Sequence, residues 1–141
     1  MFRSLERQFQ RRAELLMMGR HAALARHCQF PFQMQLADRM LLVHSPEEYA
    51  QLMGRLRDNL LDRGVQVLLA EVSAVEMPKA GMFRVWVTWE AMTSATEEVE
   101  ASLAIYHGVL QEGQFLTDRV EFMSAQMTEL MALSPQLAKS A

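Results

Sequence analysis

The chain has 141 residues, half of them hydrophobic and 22% charged, with a net charge of −3 and one cysteine. Such a chain is expected to form one soluble globular domain that buries a core without metal or crosslinks, and a lone cysteine excludes an internal disulfide framework. The acidic balance, with no basic stripe interleaved with aromatics, argues against nucleic-acid binding, and no apolar run is long enough to cross a bilayer.

No N-terminal apolar stretch resembles a secretion signal, so with Cys28 as the only thiol the expected location is cytoplasmic. Residues 2–18 place Phe2, Leu5, Phe9, Ala13 and Leu16 at helical spacings. This predicts an amphipathic helix with one apolar stripe, and Arg3, Arg7 and Arg11 line another face. After Gly19, RHAALARHC reads as a short second helix. In FPFQMQLADRMLLVHS, Phe30, Phe32 and Met34 alternate with polar neighbours. A strand is expected there, with LAD as a turn and RMLLVH as the returning strand; Pro31 suits an edge or a strand start.

SPEEYAQLMGRLRDNLLDRG carries the clearest helix signals. Ser45 is placed as N-cap, Pro46 as the first helical residue and Glu48 as the reciprocal member of a capping box. Tyr49, Leu52, Met53, Leu56 and Leu60 form its buried stripe, and Gly64 sits where a C-terminal stop belongs. From residue 65 the period changes to two. Strands are expected over roughly 65–77, 82–93, 97–110 and 114–124, joined by PKAG, TSAT and QEGQ turns. Residues 126–133 read as a short helix and 134–141 as a frayed tail, which sets the domain at 1–125. Helices followed by strands define an α+β fold, with helices packed on one face of a curved antiparallel sheet.

Alternation within strands allows the register to be tested. With QEGQ at the tip of the last hairpin, Leu110 pairs with Phe115, Ile105 with Val120 and Leu103 with Phe122. This register sets His107 opposite Asp118 on the core face, and Tyr106 opposite Arg119 on the exposed face. A turn at Ser94–Thr96 then puts Phe83 beside His107, and the PKAG turn puts Glu76 beside Phe83. Directly opposed residues have Cβ atoms roughly 4.5–5.5 Å apart, close enough for a histidine and a carboxylate to bond. His107 and Asp118 are therefore either a satisfied pair at the sheet edge or the mouth of a pocket, with His107 as donor or general base and Asp118 orienting it. Glu76, Phe83 and Trp89 are candidate ligand contacts on the same face, and His44, at the end of the second strand, is a further candidate.

Other residues carry weaker chemistry. His21 and His27 lie six apart on a short helix, nearly on opposite faces, and no ligand cluster accompanies them or Cys28, so no metal and no cofactor is expected. Cys28 has no defined base or oxyanion site for nucleophilic chemistry. Trp86 points outward with Tyr106 nearby, which marks a face for covering by a second copy. Residues 1–27 are rich in arginine and residues 90–121 in acids. These are two solvated faces, or complementary docking surfaces between copies. The twelve methionines suit an adaptable core or a plastic pocket.

The order MGRHAALARHCQFPF, then the capped SPEEYAQLMGRL helix, then the meander VLLAEVSAVEM, FRVWVTWEAM, VEASLAIYHGVL and FLTDRVEFM resembles the NTF2-like superfamily, especially its SnoaL-like and ketosteroid-isomerase-like group. The resemblance covers about residues 2–124. It implies a bent sheet wrapped as a cone around helices, with a pocket inside and dimerisation through the outer sheet face. It also implies diverse activities: some members are isomerases, cyclases, dehydratases or hydrolases, while others bind ligands or mediate assembly. The tyrosine and carboxylates used by the isomerases find no residue-by-residue match here. The sequence thus points to a homodimer whose apolar pocket binds a small hydrophobic molecule without assured catalysis. The alternatives are an enzyme doing proton transfer through His107 and Asp118, and an adaptor using the outer sheet face.

Overall fold

A computed structural model describes residues 1–93 and 99–124. The elements follow the expected order: α1 (Phe2–Met17), α2 (His21–Ala25), β1 (Cys28–Gln35), β2 (Met40–Val43), α3 (Pro46–Asp62), β3 (Val65–Val75), β4 (Met82–Thr93), β5 (Val99–Gln111) and β6 (Gln114–Phe122). The six strands form one sheet in the order β2-β1-β6-β5-β4-β3. Every neighbouring pair is antiparallel except β1 and β6, which run parallel. The sheet is therefore mixed, and the early hairpin is its far side rather than a separate feature. The Ser94–Thr96 turn and the short helix and tail at 126–141 lie outside the described residues.

Helix α1 buries Leu5, Phe9, Ala13 and Leu16 as its spacing predicts, while Phe2 at the start of the stripe is exposed. Two further residues, Arg12 and Leu15, are also buried. The flanks of α1 are polar for a specific reason. Gln10 Oε1 accepts from the Ala70 N–H (2.8 Å), Glu6 Oε2 accepts from the Val72 N–H (3.0 Å), and Gln10 Nε2 donates to the Leu68 carbonyl (3.3 Å). These are backbone groups of β3, an edge strand whose outer side has no strand partner among the described residues, so helix side chains supply the bonds that a seventh strand would otherwise supply. The other flank reaches β6, where Gln8 Oε1 accepts from the Phe115 N–H (2.8 Å) and Gln8 Nε2 donates to the Gly113 carbonyl (3.0 Å).

Helix α3 is capped as predicted by Ser45, whose Oγ accepts from the Glu48 N–H (3.2 Å). The reciprocal bond goes one residue further back than in the usual capping box, with Glu48 Oε2 accepting from the His44 N–H (2.8 Å). Arg57 of α3 donates to the Met17 carbonyl (2.9 Å), satisfying the C-terminus of α1.

The register departs from simple alternation. At the hairpin tip Leu110 does pair with Phe115, across a turn in which Glu112 and Gly113 both take positive φ, the two-residue geometry favoured for hairpins. Between His107 and Gly108, however, the ladder shifts: Gly108 pairs with Thr117, and His107 pairs with Arg119. Asp118 is the extra residue of a β-bulge. The shift reverses the faces of the rest of the hairpin, so Tyr106 opposes Val120 and Ile105 opposes Glu121. A one-residue difference from the expected β4–β5 register has the same consequence, pairing Arg84 with His107, Val85 with Tyr106 and Phe83 with Gly108. Further ladder shifts fall between Val65 and Val67 and between Val72 and Ala74 of β3, and between Cys28 and Gln33 of β1. The inner face consequently carries Val85, Val87, Ala104, Tyr106, Phe115, Thr117 and Val120, all buried.

Gly108 makes the bulge possible, because a Cβ there would lie 2.1 Å from the Leu116 carbonyl oxygen, inside any van der Waals contact. Gly108→Ala is expected to cost about 3 kcal/mol or more in urea unfolding, with an unchanged denaturant slope. A loss below about 0.5 kcal/mol would mean that the strands are not in this close approach.

Candidate functional site

Between the inner sheet face and helices α1, α2 and α3 lies a cavity of about 100 Å³. Its walls are mostly apolar, with Leu16, Phe32, Met34, Met53, Leu56 and Val120 among them. Arg63 and Glu100, 3.9 Å apart and each more than a third exposed, stand at its mouth.

The buried polar side chains of its lining are Arg12, Tyr49, Tyr106 and Thr117. Arg12 comes from α1 and is only 6% exposed. Its Nη1 donates to Thr117 Oγ1 (3.2 Å) and its Nη2 to the Phe115 carbonyl (2.5 Å), while Nε has no partner among the described residues. The guanidinium also lies over the Phe9 ring, 4.5 Å from its centroid, and more distantly over Phe115. Thr117 in turn is placed to donate to the His27 carbonyl (3.2 Å). Tyr106 accepts from the indole N–H of Trp89 (3.0 Å). Its ring and those of Trp89 and Phe115 surround Phe9.

Electrostatically this interior is unusual. Burial lowers the Arg12 pKa from its ordinary value, and the groups that act on its charge are Cys28, Tyr49 and Tyr106. Burial likewise pushes the Tyr49 and Tyr106 hydroxyls and the Cys28 thiol upward, so all three are neutral at pH 7. Among the described residues no carboxylate faces Arg12. Burying an ion costs on the order of several kcal/mol even after relaxation, and a desolvated aromatic face returns about 2 kcal/mol or somewhat more.

No protein-family model and no curated protein sequence matches the chain. Solved structures do. A domain of unknown function with a cystatin-like fold from Nostoc punctiforme is 12% identical, with a TM-score of 0.66, over 96% of this chain and 88% of that one. An NTF2-like protein with a cystatin-like fold from Novosphingobium aromaticivorans is 13% identical, with a TM-score of 0.61, over 92% and 87%. The chain has an NTF2-like fold. A putative scytalone dehydratase from Novosphingobium aromaticivorans is similar at 15% identity and a TM-score of 0.60, over 85% of this chain and 80% of that one.

Within this NTF2-like cone the candidate residues read from the sequence separate into two groups. Trp89 lines the cavity, and Phe83 is buried nearby against Phe115, with ring centroids 4.9 Å apart. His107 and Asp118 are not directly opposed and line no part of the cavity, because the bulge takes Asp118 out of the ladder. His107 instead shares the outer face with Arg119, and its Nε2 lies 3.6 Å from Glu121. Glu76 also belongs to the outer face, where Arg84 donates to it twice (2.6 and 3.0 Å) and holds its carboxyl below the usual range. His44 is exposed at the start of α3. Trp86 faces outward with Arg84 over its ring at 5.0 Å. Tyr106 does not share that face: the register shift buries it in the cavity, so it is removed from the expected interface. Among the described residues no cluster of three or more His, Cys, Asp or Glu could hold a metal ion, and no helix is long and apolar enough to cross a membrane.

Arg12, Tyr49 and Thr117 were not singled out as site residues by the sequence, yet Arg12 had a visible signal. Around the helix it sits roughly 60° from Phe9 and 40° from Leu16, inside the apolar stripe.

His27, whose carbonyl ends the bond chain from Arg12, makes the fold sensitive to acid. Burial, then the Arg12 and Arg11 charges, lower its pKa from 6.5 to about 4. Between those values the unfolded chain takes up a proton that the native imidazole refuses, so stability falls as pH drops from about 6.5 to about 4. His21 is shifted in the same direction, first by burial. The melting temperature is expected to fall across that window and His27→Gln to flatten part of the fall. An identical pH profile for the variant would remove His27 as its source.

Proposed function

We propose that this NTF2-like domain is a binding module that takes a small, largely apolar molecule into the cone. The observation that supports this reading is the mostly apolar cavity, in which the one acidic group among the lining residues, Glu100, is drawn to Arg63 at the mouth. Proton transfer needs an acid or base within hydrogen-bond reach of the substrate, and neither His107 nor Asp118 lines the cavity. Binding is therefore favoured over isomerase-like chemistry. An engineered apolar cavity of about 150 Å³ holds benzene, which makes the present one suited to a body slightly smaller than a ring, or to a ring extending toward the mouth.

Trp89 reports on this reading directly. Titration with small aromatic and aliphatic molecules, acids as well as alcohols, is expected to give a saturable change in indole emission. Ala91→Leu, which places three more carbons in the cavity wall, is expected to weaken binding at least about tenfold, by the steric cost of overpacking. If no compound gives a saturable change while the protein remains folded, the binding reading is wrong.

The outer sheet face supports a second copy as partner. Trp86 and Ile105 are register neighbours there, and Leu69 and Leu103 are exposed on β3 and β5. Exposed apolar side chains gathered on one sheet face favour covering by protein. Sedimentation is expected to give a dimer for the parent and a monomer for Ile105→Arg. A parent that sediments as a monomer at high micromolar concentration would leave this face to a different protein, or to solvent.

A further inference from the structure

Among the described residues the interior cation has no counter-charge, and that narrows the ligand. Resting on the cavity-binding reading, we propose that the ligand is an organic anion, a carboxylate on a short apolar body, and that Arg12 receives its head group. Arg12 is more than nine-tenths buried and lines the cavity. A guanidinium has five N–H donors in a planar fork. Two of them are taken, by Thr117 Oγ1 and the Phe115 carbonyl, both neutral, and Nε is without a partner among the described residues.

Tyr106 adds a second donor. Its oxygen accepts from Trp89 Nε1, which leaves its own hydrogen to give, and both residues line the same cavity. Two groups with donors to give therefore converge there, Arg12 and Tyr106, and none of the described side chains answers them with negative charge. Glu100 already has Arg63 beside it. A carboxylate matches the fork in shape and charge, accepts from a phenol as well, and carries the apolar remainder that these walls suit. Inorganic phosphate offers the charge without an apolar body.

Thr117 and Phe115 have a different part. They hold the guanidinium in place from β6, and the bulge at Asp118 is what keeps Phe115, Thr117 and Val120 on one face. They are positioning residues for Arg12 rather than ligand contacts in their own right.

The test compares matched pairs at pH 7 by calorimetry: benzoate against benzyl alcohol, and hexanoate against hexanol, with inorganic phosphate as a further probe. The parent is expected to bind the acid about 10- to 100-fold more tightly than its alcohol, the worth of a charged hydrogen bond, and to bind phosphate more weakly than either acid. Arg12→Met is expected to lose that preference, so that acid and alcohol bind alike, and to melt below the parent temperature, because the buried Phe115 carbonyl and Thr117 hydroxyl lose their donor. In the parent, the ¹⁵Nε–¹H resonance of Arg12 is expected to move with benzoate and stay with benzyl alcohol, a readout that holds even where the variant does not fold. Equal binding of acid and alcohol, or an Arg12 resonance indifferent to benzoate, overturns the anion assignment and leaves the cavity reading standing. Binding of neither acid nor alcohol overturns both.

Discussion

Helix α1 acts on the sheet as a strand would, and the rest of the molecule depends on it. Glu6 and Gln10 complete the backbone bonding of β3, while Gln8 and Arg12 complete that of β6 around Phe115. Glu6 and Gln8, like Gln10 and Arg12, are roughly 200° apart around the helix, so the two sets project from opposite flanks. The strands they reach are separated by β5 and β4. Side chains as short as Gln touch backbone on both sides of one helix only where the sheet rises around it, so the polar flanks of α1 are bound up with the curvature that creates an interior. Phe9, fully buried at the centre of the helix, then packs against Tyr106, Phe115 and Trp89 from three strands.

The same helix shows why part of the molecule was legible in the sequence and part was not. Helical spacing of Leu5, Phe9, Ala13 and Leu16, the Ser45–Pro46–Glu48 start signal and the change to period two after Gly64 each arise from local physics, and each element formed where its signal lay. Strand faces are a different matter. Parity propagates from a turn, so one inserted residue inverts everything beyond it. Phe115 and Val120 lie out of phase in FLTDRVEF, yet both are buried. Only a bulge reconciles them, and Asp118 supplies it. Reading the strand as unbroken sent Tyr106 outward and brought His107 and Asp118 inward, which misplaced the candidate site by one residue. Trp89 escaped this error because its parity was judged within β4 alone.

Arg12 was hidden for another reason. An arginine on an amphipathic helix ordinarily extends its charge to water along an apolar stem, and the spacing of the helix does not reveal that this one is roofed by α2, α3 and the sheet. What makes it tolerable inside is a set of oriented neutral groups: a threonine hydroxyl relaying to the His27 carbonyl, the Phe115 carbonyl, and the face of Phe9. These partners orient the guanidinium without neutralising it. An ion pair with an internal carboxylate would have stabilised the charge more fully and left less of it available to anything entering the cavity.

The distribution of ionisable groups across the sheet carries the same logic. On the outer face, Glu76 meets Arg84, and Arg119 and His107 both lie close to Glu121, so opposite charges there balance one another beside water, where each pair contributes little to stability. On the inner face the described residues balance nothing: one cation stands among two phenols, a thiol and a hydroxyl, each a weak acceptor. A fold that could place its carboxylates on either side of a bent sheet has put those near the hairpin outside, and the register shift at Asp118 is the step that does so. An enzyme moving protons on a hydrophobic substrate would need the opposite arrangement, with titratable groups inside. A receptor for an organic anion needs this one, because an interior acid would compete with the ligand for the charge of Arg12.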